Sequence, residues 1–106
     1  MNVISTSTYV SISDHRPDGL KAIASADFIG PHWWIGRVLV DPENRRGEGV
    51  GSKMLTALIQ AVVEQGGTEI HVTPGGYSAD SVRQTRFYER HGFVREGEEG
   101  LLVWRP

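Results

Sequence analysis

From Val38 to Gln65 the chain passes from an apolar strand pattern, through an arginine- and glycine-rich turn, into a helical pattern. The strand ends Val38-Leu39-Val40 and is closed by Asp41-Pro42. The turn holds Arg45-Arg46-Gly47-Glu48-Gly49, and Val50-Gly51-Ser52 opens the helix. Glycines 47, 49 and 51 let the backbone bend tightly and let a ligand approach with no side chain in the way. The first turn of the following helix has N–H groups without intrahelical partners and carries the positive end of the macrodipole. With the two arginines, these features form a cradle for a phosphate or pyrophosphate.

Two familiar phosphate motifs fail here on spacing, which disfavours a nucleotide-binding protein of another class. A Walker-type loop requires Lys-Ser or Lys-Thr after its last glycine, whereas Gly51 is followed by Ser52-Lys53. The fingerprint G-x-G-x-x-G, begun at Gly47, needs glycine where Ser52 stands. Its acidic partner should close the next strand, whereas Glu69 opens it. Arg46-Gly47-Glu48-Gly49-Val50-Gly51 instead resembles the (Gln/Arg)-x-x-Gly-x-(Gly/Ala) signature of the GCN5-related N-acetyltransferases, the GNAT superfamily. A second block, Arg86-Phe-Tyr-Glu-Arg-His-Gly-Phe93, is similar to that family's Phe-Tyr-x-Lys-x-Gly-Phe segment. The resemblance runs from Ser5 to Arg105 and is strongest from Val38 to Phe93.

Composition narrows the choice further. A chain of 106 residues is read as one domain, 1–106, with a single core. A net charge of -2 gives no electrostatic case for nucleic acid as a partner. The absence of cysteine excludes disulfides, thiolate metal sites and a cysteinyl acyl-enzyme. The N-terminus lacks the basic and long apolar regions of a signal peptide, and no apolar run reaches membrane-spanning length. A cytoplasmic protein without a membrane partner is expected.

Alternation predicts strands over Thr6–Ser13, Leu20–Phe28 and His32–Val40, the first two joined by the turn His15-Arg-Pro-Asp-Gly19. Val50, Met54, Leu55, Leu58, Ile59, Val62 and Val63 recur on one helical face, which Gly66-Gly67 terminates. Thr68–Thr73 reads as a strand. A helix capped by Ser78 or Asp80 reaches His91, and Phe93–Arg95 with Leu101–Trp104 reads as a closing antiparallel pair. The order β-β-β-α-β-α-β-β gives an α+β (α/β) fold with a mixed, mostly antiparallel sheet, and it matches the GNAT core. Most members of that family begin with a strand and two helices that wall the acceptor site. The missing wall implies an open acceptor groove or a homodimer that completes it.

The resemblance implies an acetyl-CoA-dependent N-acetyltransferase acting on a primary amine of a small molecule or protein. With no cysteine to carry the acetyl group, transfer is expected to be direct, in a ternary complex. Pantetheine would lie along Val38, Leu39 and Val40, where a backbone N–H near Leu39 or Val40 could serve the oxyanion. Arg45, Arg46, Gly47, Glu48, Gly49, Val50, Gly51 and Ser52 would hold the phosphates, with Ser81 and Phe87 also on the cofactor. Ser81 and Gln84 stand where the family carries asparagine and alanine.

Tyr88 aligns with the family's tyrosine and is the expected general acid, since a phenol of pKa near ~10 can protonate a thiolate of pKa near ~8.5. His71, turned away from the face of Ile70 and Val72, is the candidate base, against a structural histidine as the plainer reading. Arg83, Arg86 and Arg90 form a basic stripe, read either as a phosphate contact or as a solvated face. Trp33 and Trp34 must place one ring on each face of their strand. Histidines 15, 32, 71 and 91 lack metal-ligand spacing, so no metal site is expected. The alternative to an enzyme is a catalytically reduced acyl-CoA-binding regulatory module.

Overall fold

The computed structural model describes residues 1–74 and 79–106. Seven strands form one sheet: β1 (Asn2–Ser5), β2 (Tyr9–His15), β3 (Lys21–Ile29), β4 (His32–Asp41), β5 (Ile70–Val72), β6 (Val94–Glu96) and β7 (Leu101–Trp104). Two α-helices, α1 (Val50–Glu64) and α2 (Ala79–Arg90), follow β4 and β5 respectively. Strand order across the sheet is β1-β2-β3-β4-β5-β7-β6. Only β4 and β5 run parallel; every other neighbouring pair is antiparallel. The expected order is therefore present, with one strand added at its start. β1 escapes alternation because it is exposed on both faces of its four residues.

One face of the sheet carries the core. Val10, Ile12, Ala22, Ala24, Ala26, Trp33, Val40, Ile70, Val72 and Leu102 are buried there against Val50, Met54, Leu55, Leu58, Ala61 and Val62 of α1. Each large aliphatic side chain fully buried this way stabilises by roughly 1.5–3 kcal/mol. Three alanines on β3 keep the centre of the sheet shallow, so α1 packs closely over it. Ala61, not Val63, completes the buried stripe of α1, because Val63 lies over the rim and is 40% exposed. Among the described residues no helix covers the opposite face.

β4 changes phase midway. Trp33 and Ile35 face the helices, and so do Val38 and Val40, although strict alternation cannot put odd and even positions on one side. An extra residue resolves the conflict: Ile35 pairs with Ala26 and Arg37 with Ser25, leaving Gly36 as a bulge. A Cβ at Gly36 would meet the Ser25 hydroxyl oxygen at 3.3 Å, so the bulge is tight as well as bent. Pairing between β4 and β5 consists of Trp33 with Ile70 and Trp34 with His71, and stops at the bulge. From there the two parallel strands diverge.

Candidate active site

The divergence, the start of α1 and the end of α2 meet in one region. After β4, residues Glu43–Glu48 wind as a 3₁₀ turn, and Gly49 enters α1 with φ 80, ψ 5. That left-handed conformation is strained for any residue with a Cβ. Among the described residues no side chain caps this helix start, and no acidic residue lies in its first turn. Lys53 is the first residue whose N–H reaches back into the helix, to Gly49 at 3.2 Å. The preceding amides of Val50, Gly51 and Ser52 point outward with the helix dipole behind them. A Cβ on Gly51 would touch the Phe87 ring at 3.6 Å and Val40 at 3.8 Å. The amide cluster therefore lies against the end of β4 and the flank of α2.

Arg45 and Arg46 divide unequally. Arg45 forks onto Glu48, at 3.0 and 2.9 Å, and reaches Asp18 at 2.9 Å in the β2–β3 turn. These bonds raise the arginine pKa and hold the Glu48 and Asp18 carboxyls below the usual carboxylate range. Arg45 thus ties the loop to the neighbouring hairpin, and its charge is already compensated. The backbone of Arg46 lies in the 3₁₀ turn, but its side chain lies outside the described residues. Of the two cap candidates, Ser78 lies outside them too, and Asp80 is within α2 because that helix begins at Ala79.

Along β4, Val38 and Val40 turn toward the core, whereas Leu39 faces the other way and is 41% exposed. Among the described residues, no strand pairs with the β5-facing edge of β4 from Ile35 to Leu39. Ser81 is buried in α2. Phe87 is half-buried between Gly51, Tyr88 and His91. Arg83, Arg86 and Arg90 are all exposed.

Tyr88 is held by the way α2 ends. Gly92 is left-handed at φ 91, with its N–H on the Glu89 carbonyl at 3.2 Å. The Phe93 N–H reaches the Tyr88 carbonyl at 3.2 Å, closing a Schellman motif. The Phe93 ring then meets the Tyr88 ring edge-on, centroids 5.3 Å apart. His-Gly-Phe in the second motif is therefore the clamp that positions its tyrosine. Burial leaves Tyr88 only 6% exposed and pushes its pKa up to about 12. The phenol is thus a permanent hydrogen-bond donor at neutral pH, and a weaker acid than its free value suggests.

His71 lies on the face that no helix covers, as alternation requires, and is buried there. Its Nε2 is 2.9 Å from a Glu69 oxygen, its ring stacks on His32 with centroids 4.2 Å apart, and Trp34 meets it edge-on at 5.0 Å. An ionised carboxylate only accepts, so Nε2 carries the proton and Nδ1 the lone pair. Nδ1 is buried and has no hydrogen-bond partner among the described residues. Arg105 donates to the other oxygen of Glu69 at 2.9 Å and also pairs with Glu96. Together the His71 and Arg105 bonds hold the Glu69 carboxyl below the usual carboxylate range. Tyr88 and His71 consequently flank the β4–β5 divergence from opposite faces.

A sequence model described as "Acetyltransferase (GNAT) domain" matches residues 7–95. The chain belongs to the GNAT acetyltransferases. Enzymes of this family take acetyl-CoA as the acetyl donor. The GNAT fold is equally plain in solved structures. A GNAT-family protein from Desulfovibrio desulfuricans superposes with a TM-score of 0.76 at 21% identity, over 93% of this chain and 69% of its own. The PaiA N-acetyltransferase from Thermoplasma acidophilum, in complex with coenzyme A, gives 0.72 at 16%, over 93% and 62% respectively. The aminoglycoside 6'-N-acetyltransferase from Enterococcus faecium gives 0.68 at 14%, over 92% and 74%. A search of curated proteins by sequence gave no match. Among the described residues of this GNAT domain, no helix is long and apolar enough to cross a membrane.

Sequence reasoning missed the roles of four residues: Asp18, His32, Gly36 and Arg105. Gly36 left a local signal, the phase change between Ile35 and Val38, and Glu69 lies on the His71 side of its strand by alternation. Asp18, His32 and Arg105 act across segments far apart in the chain.

Proposed function

We propose that this GNAT domain transfers acetyl directly from acetyl-CoA to a primary amine, without a covalent acyl-enzyme. The observation that carries this reading is the uncapped start of α1 seated beside the open edge of β4 and against Phe87. The amides of Val50, Gly51 and Ser52, with the Gly47–Gly49 loop and Arg46, hold the pyrophosphate. Pantetheine runs along Val38–Val40 as an added strand, and a backbone N–H there receives the oxyanion, worth roughly 3 kcal/mol when well aimed. Ser81 and Phe87 border the same groove.

The acceptor enters from the sheet face that no helix covers. Its nitrogen attacks the thioester carbonyl, so a C–N bond forms and the C–S bond breaks. His71, oriented by Glu69, takes the amine proton through water. Tyr88 donates a hydrogen bond and then a proton to the departing thiolate. Its raised pKa makes that full transfer uphill until solvent or product release completes it.

The test is thermal denaturation with acetyl-CoA, with ATP and with a Gly49→Glu variant. At 100 times the dissociation constant, acetyl-CoA should add roughly 2.7 kcal/mol of stability to the wild type alone. An equal shift with ATP, or none with acetyl-CoA, would sink the reading. If acetyl-CoA binds but transfer to amines does not depend on Tyr88, the domain is a binding module.

A further inference from the structure

We infer that His32, Glu69 and His71 form a divalent transition-metal site, of the type that takes Zn²⁺, on the face of the sheet that no helix covers. The parallel register of β4 and β5 sets Trp33 beside Ile70 and Trp34 beside His71, so His32 comes next to Glu69. Alternation then turns His32, Glu69 and His71 to the same side. Their ligand atoms all lie within 4.8 Å of one another. Glu69 Oε2 stands 2.9 Å from His71 Nε2 and 3.3 Å from His32 Nδ1. Ligands about 2.0–2.1 Å from a tetrahedral metal are separated by roughly 3.3 Å, so two of the three edges are already near their bound lengths. His32 is only half-buried, and its ring can tilt out of the stack on His71 to close the third.

Two imidazoles and one carboxylate are a borderline donor set that suits Zn²⁺ and its neighbours and is poor for Mg²⁺ or Ca²⁺. Three protein ligands leave the fourth position to water. His32 and Glu69 also help to line a recess of about 300 Å³ beside Gln65, Gly66 and Gly67 at the end of α1. Metal binding moves the His71 ring proton from Nε2 to Nδ1, which has no hydrogen-bond partner among the described residues. A metal-loaded protein would therefore lack the His71 base, and the two roles belong to different states. Arg105 holds the outer oxygen of Glu69 at 2.9 Å and so orients the inner one. Its positive charge opposes a second cation, but it is shared between Glu69 and Glu96 and leaves the cluster without excess positive charge. The local spacing argument does not reach this site, because its ligands come from two strands joined only by tertiary pairing.

The site needs no acetyl-CoA, so its test stands apart from that of the acetyltransferase reading. Chelator-treated full-length protein is titrated with ZnCl₂ by calorimetry, and with Co²⁺ by visible absorption. One Zn²⁺ per chain is expected, together with the intense d–d bands of four-coordinate Co²⁺. Affinity should fall at least about tenfold in His32→Ala and in His71→Ala, and stay unchanged in His15→Ala, an exposed residue at the end of β2. His32→Ala removes a half-exposed side chain, so it decides the matter even if His71→Ala fails to fold. No binding by the wild type, or equal binding by His32→Ala, would overturn the site.

Discussion

The start of α1 and the end of α2 are built around glycines in the same left-handed conformation, φ 80 at Gly49 and φ 91 at Gly92, with opposite results. At Gly92 the chain folds back and satisfies the last carbonyls, and Phe93 seals the turn against Tyr88. At Gly49, among the described residues, no side chain caps the first amides and no acidic residue lies in the first turn. One helix end is closed by its own sequence, and the other is the end that the proposed function gives to the cofactor. The two lie in contact through Phe87 and Gly51. A closed end makes a rigid mount, while an open end makes a binding surface, and this site uses one of each.

If that division holds, substitutions at the closed end should change chemistry or stability and spare the cofactor, while those at the open end should do the reverse. Tyr88→Phe keeps every ring contact and removes only the hydroxyl. Steady-state kinetics should show kcat falling by about a hundredfold or more, with KM for acetyl-CoA little changed. Gly49→Glu sets a Cβ and a carboxylate at the open end, and the roughly 2.7 kcal/mol of stabilisation by acetyl-CoA should disappear. Gly92→Ala strains the closed end by roughly 1–2 kcal/mol. Melting should come several degrees lower, while the shift on adding acetyl-CoA persists. A Gly92→Ala protein that melts normally but no longer binds acetyl-CoA would erase the distinction.

Arg45→Ala is the smallest expected change, because exposed, solvent-screened ion pairs contribute little to stability. Its signature is in the pH dependence. The Asp18 and Glu48 pKa values are depressed in the folded protein by their bonds to Arg45. That stabilisation is present above the unfolded carboxylate values and is lost as pH falls through the folded ones. Wild type and variant should therefore differ in melting temperature at neutral pH and converge in acid.

What sequence could show follows from the range of each interaction. Strands, α1 and both glycine motifs are local, and alternation, helical spacing and turn chemistry reach them. β1 is four exposed residues with no buried side to betray it, and its place is set by pairing with β2. Arg45 looks like a free phosphate ligand in the sequence, since its partner Asp18 belongs to a different turn. His71 and Glu69, two residues apart, were legible by alternation, but Arg105 and His32 join them only when β5 lies between β4 and β7. The acidity expected of Tyr88 also shifted, because a pKa reflects surroundings that no motif spells out.

The bulge at Gly36 gives β4 something like a reading frame. Upstream, odd-numbered residues are core and even-numbered ones are surface; downstream the assignment is exchanged. Deleting Gly36 alone removes the bulge and leaves strict alternation, with Val38 and Val40 still inward and Leu39 still out. Deleting Gly36 together with Arg37 sets Val38 directly after Ile35, and sends Val38 and Val40 out and Leu39 inward. The shorter deletion should therefore fold and the longer one fail, however conservative the composition.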